Sequence, residues 1–256
     1  MTDNALIPVL DQPSFSDDAL RDRVILVTGA NRGIGRAVAM RCAAAGARVV
    51  ASGRDIKGLE KLDDQIQAAG GEPVSLLPLD LLKATIDDFR MAAKALEDNL
   101  GQLDGIAHVA GLLGEMSTLE HYPAMTWHNV MHVNVSAPFL LTQALLPLIK
   151  RSPGSSIVFA SSSVGRIGRA HWGAYSVSKF ATEGLMQTLA DECDGQPRVN
   201  ALNPGATRTL MRRSAYPAED PTKLATPEDI APAFAYLLST DSAEHNGRTF
   251  DAQGPR

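Results

Sequence analysis

TGANRGIG, the stretch from Thr28 to Gly35, stands between an apolar run and a helix-forming run and decides the fold of this 256-residue chain. The apolar run, Val24–Val27, predicts a buried parallel strand, and residues 36–45 predict a helix that ends at Gly46. Glycines between a strand and a helix allow a tight turn and a close approach of phosphate to the helix N-terminus. The stretch therefore predicts a dinucleotide site, with an ordinary strand-to-helix turn as the alternative, although its spacing is Gly-x-x-x-Gly-x-Gly.

A second motif, YSVSK from Tyr175 to Lys179, places a phenol and an ammonium one helical turn apart on the same face. A neighbouring cation stabilises a phenolate, so we expect Lys179 to lower the pKa of Tyr175 from its ordinary value of about 10. That shift would suit acid–base chemistry near neutral pH. The spacing also recurs on exposed helices, so its weight comes from the glycine turn and from the serines 161–163 that end a predicted strand upstream.

The glycine turn, the middle serine of that run and the Tyr-x-x-x-Lys motif resemble, in this order, the short-chain dehydrogenase/reductase family. Asn134 stands where the family carries its helix asparagine, and Asp80 fits the acidic residue that ends the third strand. Residues 203–209, which read NPGATRT, are similar to the family's Pro-Gly-x-x-x-Thr turn. The resemblance covers about residues 23–253, which is nearly the whole chain.

The resemblance implies hydride transfer between a nicotinamide and a carbonyl or alcohol carbon, with Asn134, Ser162, Tyr175 and Lys179 as the catalytic residues. Tyr175 would donate or remove the proton, and Lys179 would also bond the nicotinamide ribose. Ser162 would hydrogen-bond the substrate oxygen, although spacing alone does not separate it from its two serine neighbours. Asn134 would order a water near Lys179, and stabilisation of a helix kink is its alternative or additional role.

The resemblance also implies a set of cofactor contacts, most of which follow predicted strands. They are Gly29, Asn31, Arg32, Gly33, Ile34, Gly35, Arg54, Asp80, Leu81, Ala110, Gly111, Tyr175, Lys179, Pro204, Gly205, Thr207 and Thr209. One residue departs from the family pattern, because Val109 stands where members usually carry asparagine before Ala-Gly and cannot make that side chain's hydrogen bonds. His108 is interpreted as a core or strand-end histidine, and no clustering of histidines predicts a metal site.

The charges at the end of the second predicted strand favour NADP(H) over NAD(H). An acidic residue there would bind a ribose 2′-hydroxyl and repel a 2′-phosphate, but Gly53 holds that position. Arg54 follows it, and Arg32 lies inside the glycine turn, so two guanidinium groups could converge on a phosphate. Asp55 is interpreted as the N-cap of the next helix. The alternative is that both arginines are solvated surface cations.

Strands and helices alternate along the chain, which predicts a parallel sheet covered on both faces. The resemblance specifies an α/β fold with one Rossmann-like domain and a doubly wound, seven-stranded parallel sheet. Strands are predicted near 23–28, 47–52, 73–79, 105–110, 155–161, 197–202 and 247–252. Helices are predicted near 33–45, 56–69, 85–100, 126–150, 173–193 and 227–239.

Length and composition predict one domain over residues 23–256, preceded by an extended arm over residues 1–22. The net charge of −5 argues against general nucleic-acid affinity. Cys42 and Cys193 are expected to be reduced thiols rather than a disulfide. With no secretory signal and no apolar run long enough for a membrane span, the cytoplasm is the expected compartment.

The substrate is expected to be a small carbonyl or alcohol compound, and Arg208, Arg212 and Arg213 suggest an anionic one, with solvated or ion-paired arginines as the alternative. The resemblance implies pairing of helices near 126–150 and 173–193 into a homodimer or homotetramer. Two other functions stay open: a catalytically idle NADP(H)-binding sensor or binding module, and a 3-oxoacyl thioester reductase that would share every catalytic residue.

Overall fold

The computed structural model describes residues 7–254, and within them seven parallel strands form one sheet in the order β3-β2-β1-β4-β5-β6-β7. This confirms the predicted doubly wound α/β sheet. The strands are β1 (Val24–Thr28), β2 (Arg48–Gly53), β3 (Ser75–Pro78), β4 (Gly105–His108), β5 (Ser156–Ala160), β6 (Arg198–Asn203) and β7 (Thr249–Asp251). The predicted strands at 73–79, 105–110 and 247–252 are shorter than expected at one or both ends.

Eight α-helices connect the described strands or flank them. They are α1 (Gly33–Ala44), α2 (Ile56–Ala68), α3 (Ile86–Leu100), α4 (Ala124–Met131), α5 (Ala137–Ile149), α6 (Gly173–Cys193), α7 (Leu210–Ala215) and α8 (Pro227–Leu238). The short helix α7 was not predicted. Asp55 accepts a hydrogen bond from the Gly58 amide as the N-cap of α2, which confirms its predicted role.

The core lies on both faces of the sheet, and β1 shows how alternation produces this arrangement. Every residue of β1 is buried. Ile25 and Val27 belong to the apolar cluster formed with α1, α2 and α8, whereas Val24 and Leu26 belong to the cluster formed with α3, α5 and α6. Since successive side chains of a strand point to opposite faces, one continuous apolar run serves both layers.

The helix predicted over 126–150 is interrupted by a π turn at His132–Ser136, which separates α4 from α5. Pro138 explains the interruption, because it has no N–H to donate to the carbonyl of Asn134 four residues earlier. That carbonyl instead accepts a long hydrogen bond of 3.4 Å from the Thr182 hydroxyl on α6. The π turn therefore brings Asn134 into contact with α6.

The helical stretch Ala124–Ile149 is long and apolar enough, by length and composition alone, to cross a bilayer. Half of its most apolar window is buried in the domain, where α5 packs against α3. We therefore interpret it as a core helix.

Residues 7–22 lie against the domain instead of extending away from it. Val9 pairs with Asp251 beside β7, and Leu20 is fully buried. The ring of Phe15 packs against Tyr236 and is covered by the Arg41 guanidinium, 4.5 Å from its centroid. Residues 1–6 of the predicted arm lie outside the described residues. Cys42 and Cys193 are buried free thiols, as expected.

Candidate active site

A cavity of about 320 Å³ opens at the carboxyl ends of the parallel strands, where ligands of doubly wound sheets bind. Most of the predicted cofactor contacts line it: Gly29, Asn31, Arg32, Gly33, Ile34, Gly35, Arg54, Asp80, Leu81, Ala110, Gly111, Tyr175, Lys179, Pro204 and Thr209. Gly205 and Thr207 are not among its lining residues. The Thr207 hydroxyl lies 3.3 Å from the carbonyl oxygens of Pro204 and Gly205, so this side chain shapes its own turn.

The glycine turn is packed too tightly for side chains at two of its positions. A Cβ on Gly35 would lie 2.3 Å from the carbonyl oxygen of Gly29. Gly29 itself has a φ of +69°, and a Cβ there would lie 3.0 Å from Cα of Ala110. Such close backbone packing leaves the N-terminal amides of α1 open to a phosphate, so the turn fits a dinucleotide.

Thr28, which sequence reasoning did not single out, joins β1 to the segment after β4. Its hydroxyl oxygen accepts hydrogen bonds from the amides of Val109 and Ala110 at 3.1 and 3.2 Å. The Val109 side chain packs against the core. Valine instead of asparagine at position 109 therefore does not disturb the backbone hydrogen bonds that stabilise this part of the cavity wall. The position of threonine directly before the first glycine was the available signal.

The far end of the cavity carries the two arginines of the predicted NADP(H) site. Arg32 and Arg54 are exposed and line the same cavity. Gly53 carries no acidic side chain, and a Cβ there would lie 2.9 Å from Oδ1 of Asn31, so a larger residue would require the Asn31 side chain to move. Two arginines and the lack of an acidic side chain at position 53 therefore favour binding of a ribose 2′-phosphate at this end of the cavity.

Tyr175 lies on the first turn of α6 at the opposite end of the cavity. It is 8 % exposed, and of the three serines only Ser162 interacts with it, lowering its pKa. Ser161 donates instead to Glu183, and Ser163 begins a short 3-10 helix. Burial raises the pKa of Tyr175 to about 12, and the bond to Ser162 offsets part of this rise.

Lys179 is buried one turn below Tyr175. Its Nζ donates to the carbonyl oxygen of Ala160 at 2.7 Å and lies 5.6 Å from the centroid of the tyrosine ring. Burial lowers the pKa of Lys179 to about 8, whereas the charge of Glu183 raises it. The expectation of a low pKa for Tyr175 is wrong for this structure, because the desolvation of the phenol outweighs the effects that lower its pKa.

Glu183 continues the same face of α6 and was not predicted as a site residue. It is 7 % exposed, and its two carboxylate oxygens accept hydrogen bonds from Ser161 and from Thr249 on β7. Three consecutive residues, the last of β5 and the two that follow it, thus interact with α6. The Ala160 carbonyl accepts from Lys179 and the Ser161 hydroxyl donates to Glu183. Ser162 interacts with Tyr175. The i, i+4, i+8 spacing of Tyr175, Lys179 and Glu183 was the signal that could have found it.

Asn134 is buried and positions the loop that follows β4. Its Oδ1 accepts from the Leu112 amide at 2.7 Å, and its Nδ2 donates to the Leu112 carbonyl at 2.9 Å and to the Ser178 hydroxyl at 2.9 Å. The side chain thus joins the π turn to the loop after β4 and to α6, a set of contacts that the sequence did not predict. Its carbonyl oxygen lies beside α6 at Thr182.

His108 is buried beneath the site as a core histidine, as interpreted from the sequence. Its ring stacks on Phe159 with centroids 4.7 Å apart, and its Nε2 lies 2.8 Å from the Thr142 hydroxyl. Burial lowers the pKa of His108 to about 3, which keeps the ring neutral. Among residues 7–254, no group of three or more histidine, cysteine, aspartate or glutamate residues could hold a metal ion.

A doubly wound sheet, a glycine turn without room for side chains and a serine–tyrosine–lysine cluster at one cavity define a nucleotide-binding oxidoreductase of the short-chain type. A family model described as short chain dehydrogenase matches residues 23–220. The chain therefore belongs to the short-chain dehydrogenase/reductase family.

The chain is also similar over most of its length to individual proteins. It is 51 % identical over 239 residues to the uncharacterised oxidoreductase YciK of Escherichia coli, which covers 93 % of this chain and 95 % of that protein. A cyclohexanol dehydrogenase of Acinetobacter is 30 % identical over 239 residues, covering 91 % of this chain and 94 % of its own length. A 3-oxoacyl-[acyl-carrier-protein] reductase of Thermotoga maritima is 30 % identical over 244 residues, covering 92 % and 98 %.

Two solved structures of similar proteins contain the cofactor. A short chain dehydrogenase of Escherichia coli crystallised with NADPH has 50 % identity and a TM-score of 0.92, covering 94 % of this chain and 100 % of that one. A short chain dehydrogenase of Shigella flexneri crystallised with NADP has 50 % identity and a TM-score of 0.91, covering 93 % and 100 %.

Proposed function

We propose that this protein is an NADP(H)-dependent oxidoreductase that transfers hydride between the nicotinamide and a carbonyl or alcohol carbon, with Tyr175 as the acid–base residue. The observation that carries the proposal is that Tyr175, with Lys179 beside it, lines one end of a cavity whose other end is the glycine turn. A turn suited to a dinucleotide and a side chain suited to proton donation thus line the same cavity.

NADP(H) would supply or accept the hydride when bound. The chain would contribute the proton and the alignment of the substrate. A pKa of about 12 keeps the Tyr175 phenol protonated at neutral pH, so Tyr175 is ready to donate to a carbonyl oxygen as that oxygen gains negative charge. Ser162 would hydrogen-bond the same oxygen and stabilise the developing charge. These roles favour carbonyl reduction.

Lys179 and Asn134 would complete the catalytic group. The Lys179 ammonium would stabilise negative charge on Tyr175 after proton donation and would bond the nicotinamide ribose. Asn134 would act chiefly by holding Leu112 in place, and its carbonyl oxygen would order the water of a proton relay. Thr209, which lines the cavity, would orient the nicotinamide carboxamide.

The preference for NADP(H) is supported by charge and by the relatives. Arg32 and Arg54 line the cavity, and Gly53 offers no acidic side chain to repel a 2′-phosphate. Two structures at 50 % identity were crystallised with NADP or NADPH. Gly205 and Thr207 would support the cofactor site indirectly through the turn that carries Pro204.

The proposal includes a homodimer or homotetramer in the cytoplasm. Phe139 on α5 and Val177 and Phe180 on α6 are apolar residues that are 40 % or more exposed, and pairing of these helices would cover them. The two buried thiols fit a reducing compartment. Residues 1–22 would act as an N-terminal extension of the domain formed by residues 23–256.

The test is a fluorescence titration with NADPH and NADH, followed by turnover assays on a panel of ketones that includes a 3-oxoacyl thioester. We expect NADPH to bind at least about tenfold tighter than NADH, and the double variant Arg32→Ala/Arg54→Ala to remove the difference. Tyr175→Phe should bind NADPH normally and lose roughly 10²- to 10⁴-fold in turnover. Tyr236→Phe on α8 is the matched control.

Three outcomes would contradict parts of the proposal. Full turnover by Tyr175→Phe would reject its acid–base role, and equal affinity for NADH would reject the cofactor assignment. NADPH binding without turnover across the panel would favour the idle sensor. Turnover confined to the thioester would identify the 3-oxoacyl reductase.

A further inference from the structure

Three segments meet beside Tyr175 and form the cleft that a substrate would enter. The loop after β4 carries Leu112, Leu113 and Met116, with Glu115 as its charged residue. The Ser117 amide donates to the carbonyl of His171 at 3.0 Å, which ties this loop to the segment before α6. The third segment is α7, from which Met211 lines the cavity.

Trp172 lies at the centre of these segments. Its ring centroid is 5.7 Å from that of Tyr175 and 5.9 Å from that of Tyr216, and the rings are inclined by 46° and 51°. Trp172 and Tyr216 are only partly buried, so they present aromatic surface next to the proposed proton donor. Aromatic surfaces of this kind bind flat apolar groups by stacking and by area burial.

The arginines that suggested an anionic substrate have other partners. The Arg212 guanidinium makes two hydrogen bonds to Glu219, at 2.6 and 2.7 Å, and lies 3.9 Å from the centroid of the Tyr216 ring. Arg208 donates to the carbonyl oxygens of the loop after α7, at Pro221, Thr222 and Leu224. These contacts brace α7 and its loop, and they leave both arginines with less capacity to bind a substrate anion.

The other charged residues of these three segments do not offer a substrate anion a binding site in place of Arg208 and Arg212. Arg166 pairs with Asp251. Arg169 and Arg213 are exposed to water, where a cation contributes little to holding an anion. Glu115 adds a negative charge to the loop after β4. The buried cation of this cavity is Lys179, whose ammonium already donates to the Ala160 carbonyl and would bond the cofactor ribose. An anion moved from water into the cleft would therefore lose hydration without gaining a buried countercharge of its own.

We propose, on the basis of the oxidoreductase function above, that the substrate is an uncharged carbonyl compound whose apolar or aromatic group lies against Trp172 and Tyr216. The carbonyl oxygen faces Tyr175 and Ser162. In reduction, the carbonyl carbon would gain a hydride from NADPH and its oxygen the proton of Tyr175, which yields the alcohol and NADP⁺. The Tyr175 phenolate would then regain a proton from water.

A matched pair of probes tests this charge and ring preference directly. Ethyl benzoylformate and benzoylformate share a phenyl ring and a reacting ketone, but only the second is an anion. Trp127→Phe leaves Trp172 as the only tryptophan of the chain, since the sequence has two. With NADP⁺ bound no turnover occurs, so quenching of Trp172 emission reports the affinity of each probe.

We expect the ester to quench Trp172 with a Kd at least about tenfold below that of the anion. Equal affinity, tighter binding of the anion, or no quenching by the ester up to its solubility would each overturn the proposal. Trp172→Phe should keep the KM for the ester within about threefold, whereas Trp172→Ala should raise it roughly tenfold or more. An equal KM in the two variants would also contradict the role of the ring.

This experiment separates its own failure from failure of the oxidoreductase function. NADPH affinity and the loss of turnover in Tyr175→Phe are measured on the same preparations. If both hold while the anion binds better, only the substrate class is wrong. If NADPH does not bind, the oxidoreductase proposal fails first.

Discussion

The cofactor end of the cleft is formed mainly by backbone atoms, whereas the proposed substrate end is formed mainly by side chains. The cofactor half consists of backbone packed against backbone, as where Gly35 meets the carbonyl of Gly29. The substrate half consists of side chains from three loops, centred on Trp172 and braced by the Arg212–Glu219 pair. A site made of backbone restricts the residue types at each position, whereas a site made of side chains tolerates change. The first half is therefore restricted in the residues that it can carry, whereas the second half can vary, as expected of loops that determine specificity.

The largest expected effect comes from adding one methyl group to the cofactor half. Gly35→Ala would place a Cβ 2.3 Å from the carbonyl oxygen of Gly29, so the turn must open. We expect NADPH affinity to fall by roughly 100-fold, measured by fluorescence titration. Gly168→Ala is the matched control on the substrate side, because a Cβ there would have no neighbour within 4 Å. Similar losses in both variants would remove the contrast between the two halves.

Removing the hydroxyl of Thr28 should have the second largest effect on NADPH affinity. Thr28→Val keeps the shape of the side chain but removes the oxygen that accepts from both amides, so Ala110 loses this acceptor and Val109 keeps only its bond to the Ala107 carbonyl. We expect an NADPH affinity about tenfold lower and a loss of about 1–3 kcal/mol in the free energy of unfolding, measured by urea denaturation. Thr28→Ser retains the oxygen and should behave nearly as the wild type. An unaffected Thr28→Val protein would show that these two bonds do not hold the cavity wall.

The charge of Glu183 raises the pKa of Lys179, so removing that charge should change the pH dependence of turnover. Lys179, with a pKa of about 8, loses its proton as the pH rises, and the Glu183 carboxylate opposes that loss. Glu183→Gln removes the opposing charge, so the alkaline decline of kcat should move to lower pH and kcat at pH 8 should fall by roughly tenfold. Glu192→Gln, an exposed change on the same helix, is the control. A lower kcat with an unmoved pH profile would indicate a structural role only.

The smallest expected effect belongs to Val109, where the chain departs from its family. The amide of Val109 makes the bond to Thr28, and its side chain packs against the core. Val109→Asn should therefore change the Kd for NADPH by less than about threefold. A tighter complex by tenfold or more would show that the valine costs cofactor affinity.

The cofactor half could be predicted from the sequence because its constraints act locally. Glycine at a positive φ, a strand before it and a helix after it all lie within a short window around Gly29. The number of strands and their doubly wound arrangement came from the family resemblance, since apolar runs alone do not specify which strands are neighbours. The N-cap at Asp55 was predictable for the same local reason.

The remaining features depend on contacts between residues distant in sequence. The π turn at Asn134 depends on Pro138 and on Thr182 of another helix. The high pKa of Tyr175 depends on burial, which spacing along a helix does not reveal. The pairing of Arg212 with Glu219 depends on how the loop after α7 folds back. Without these contacts, the sequence predicted a lowered pKa for Tyr175, which is wrong for this structure. It left ion-paired arginines as one alternative, which the pairing of Arg212 with Glu219 favours.

The pairing of Val9 with Asp251 has a consequence for association between molecules. An open sheet has two edges, and an uncovered edge strand is a template on which another chain can add a strand. Here β3 is a four-residue edge ending at Pro78, which cannot donate a ladder hydrogen bond, and β7 is covered by the backbone of residues 8–10. Both edges are thereby protected from strand addition. Association of one sheet with another is therefore disfavoured at both edges, which leaves the helices and loops as the surfaces on which a second molecule would dock.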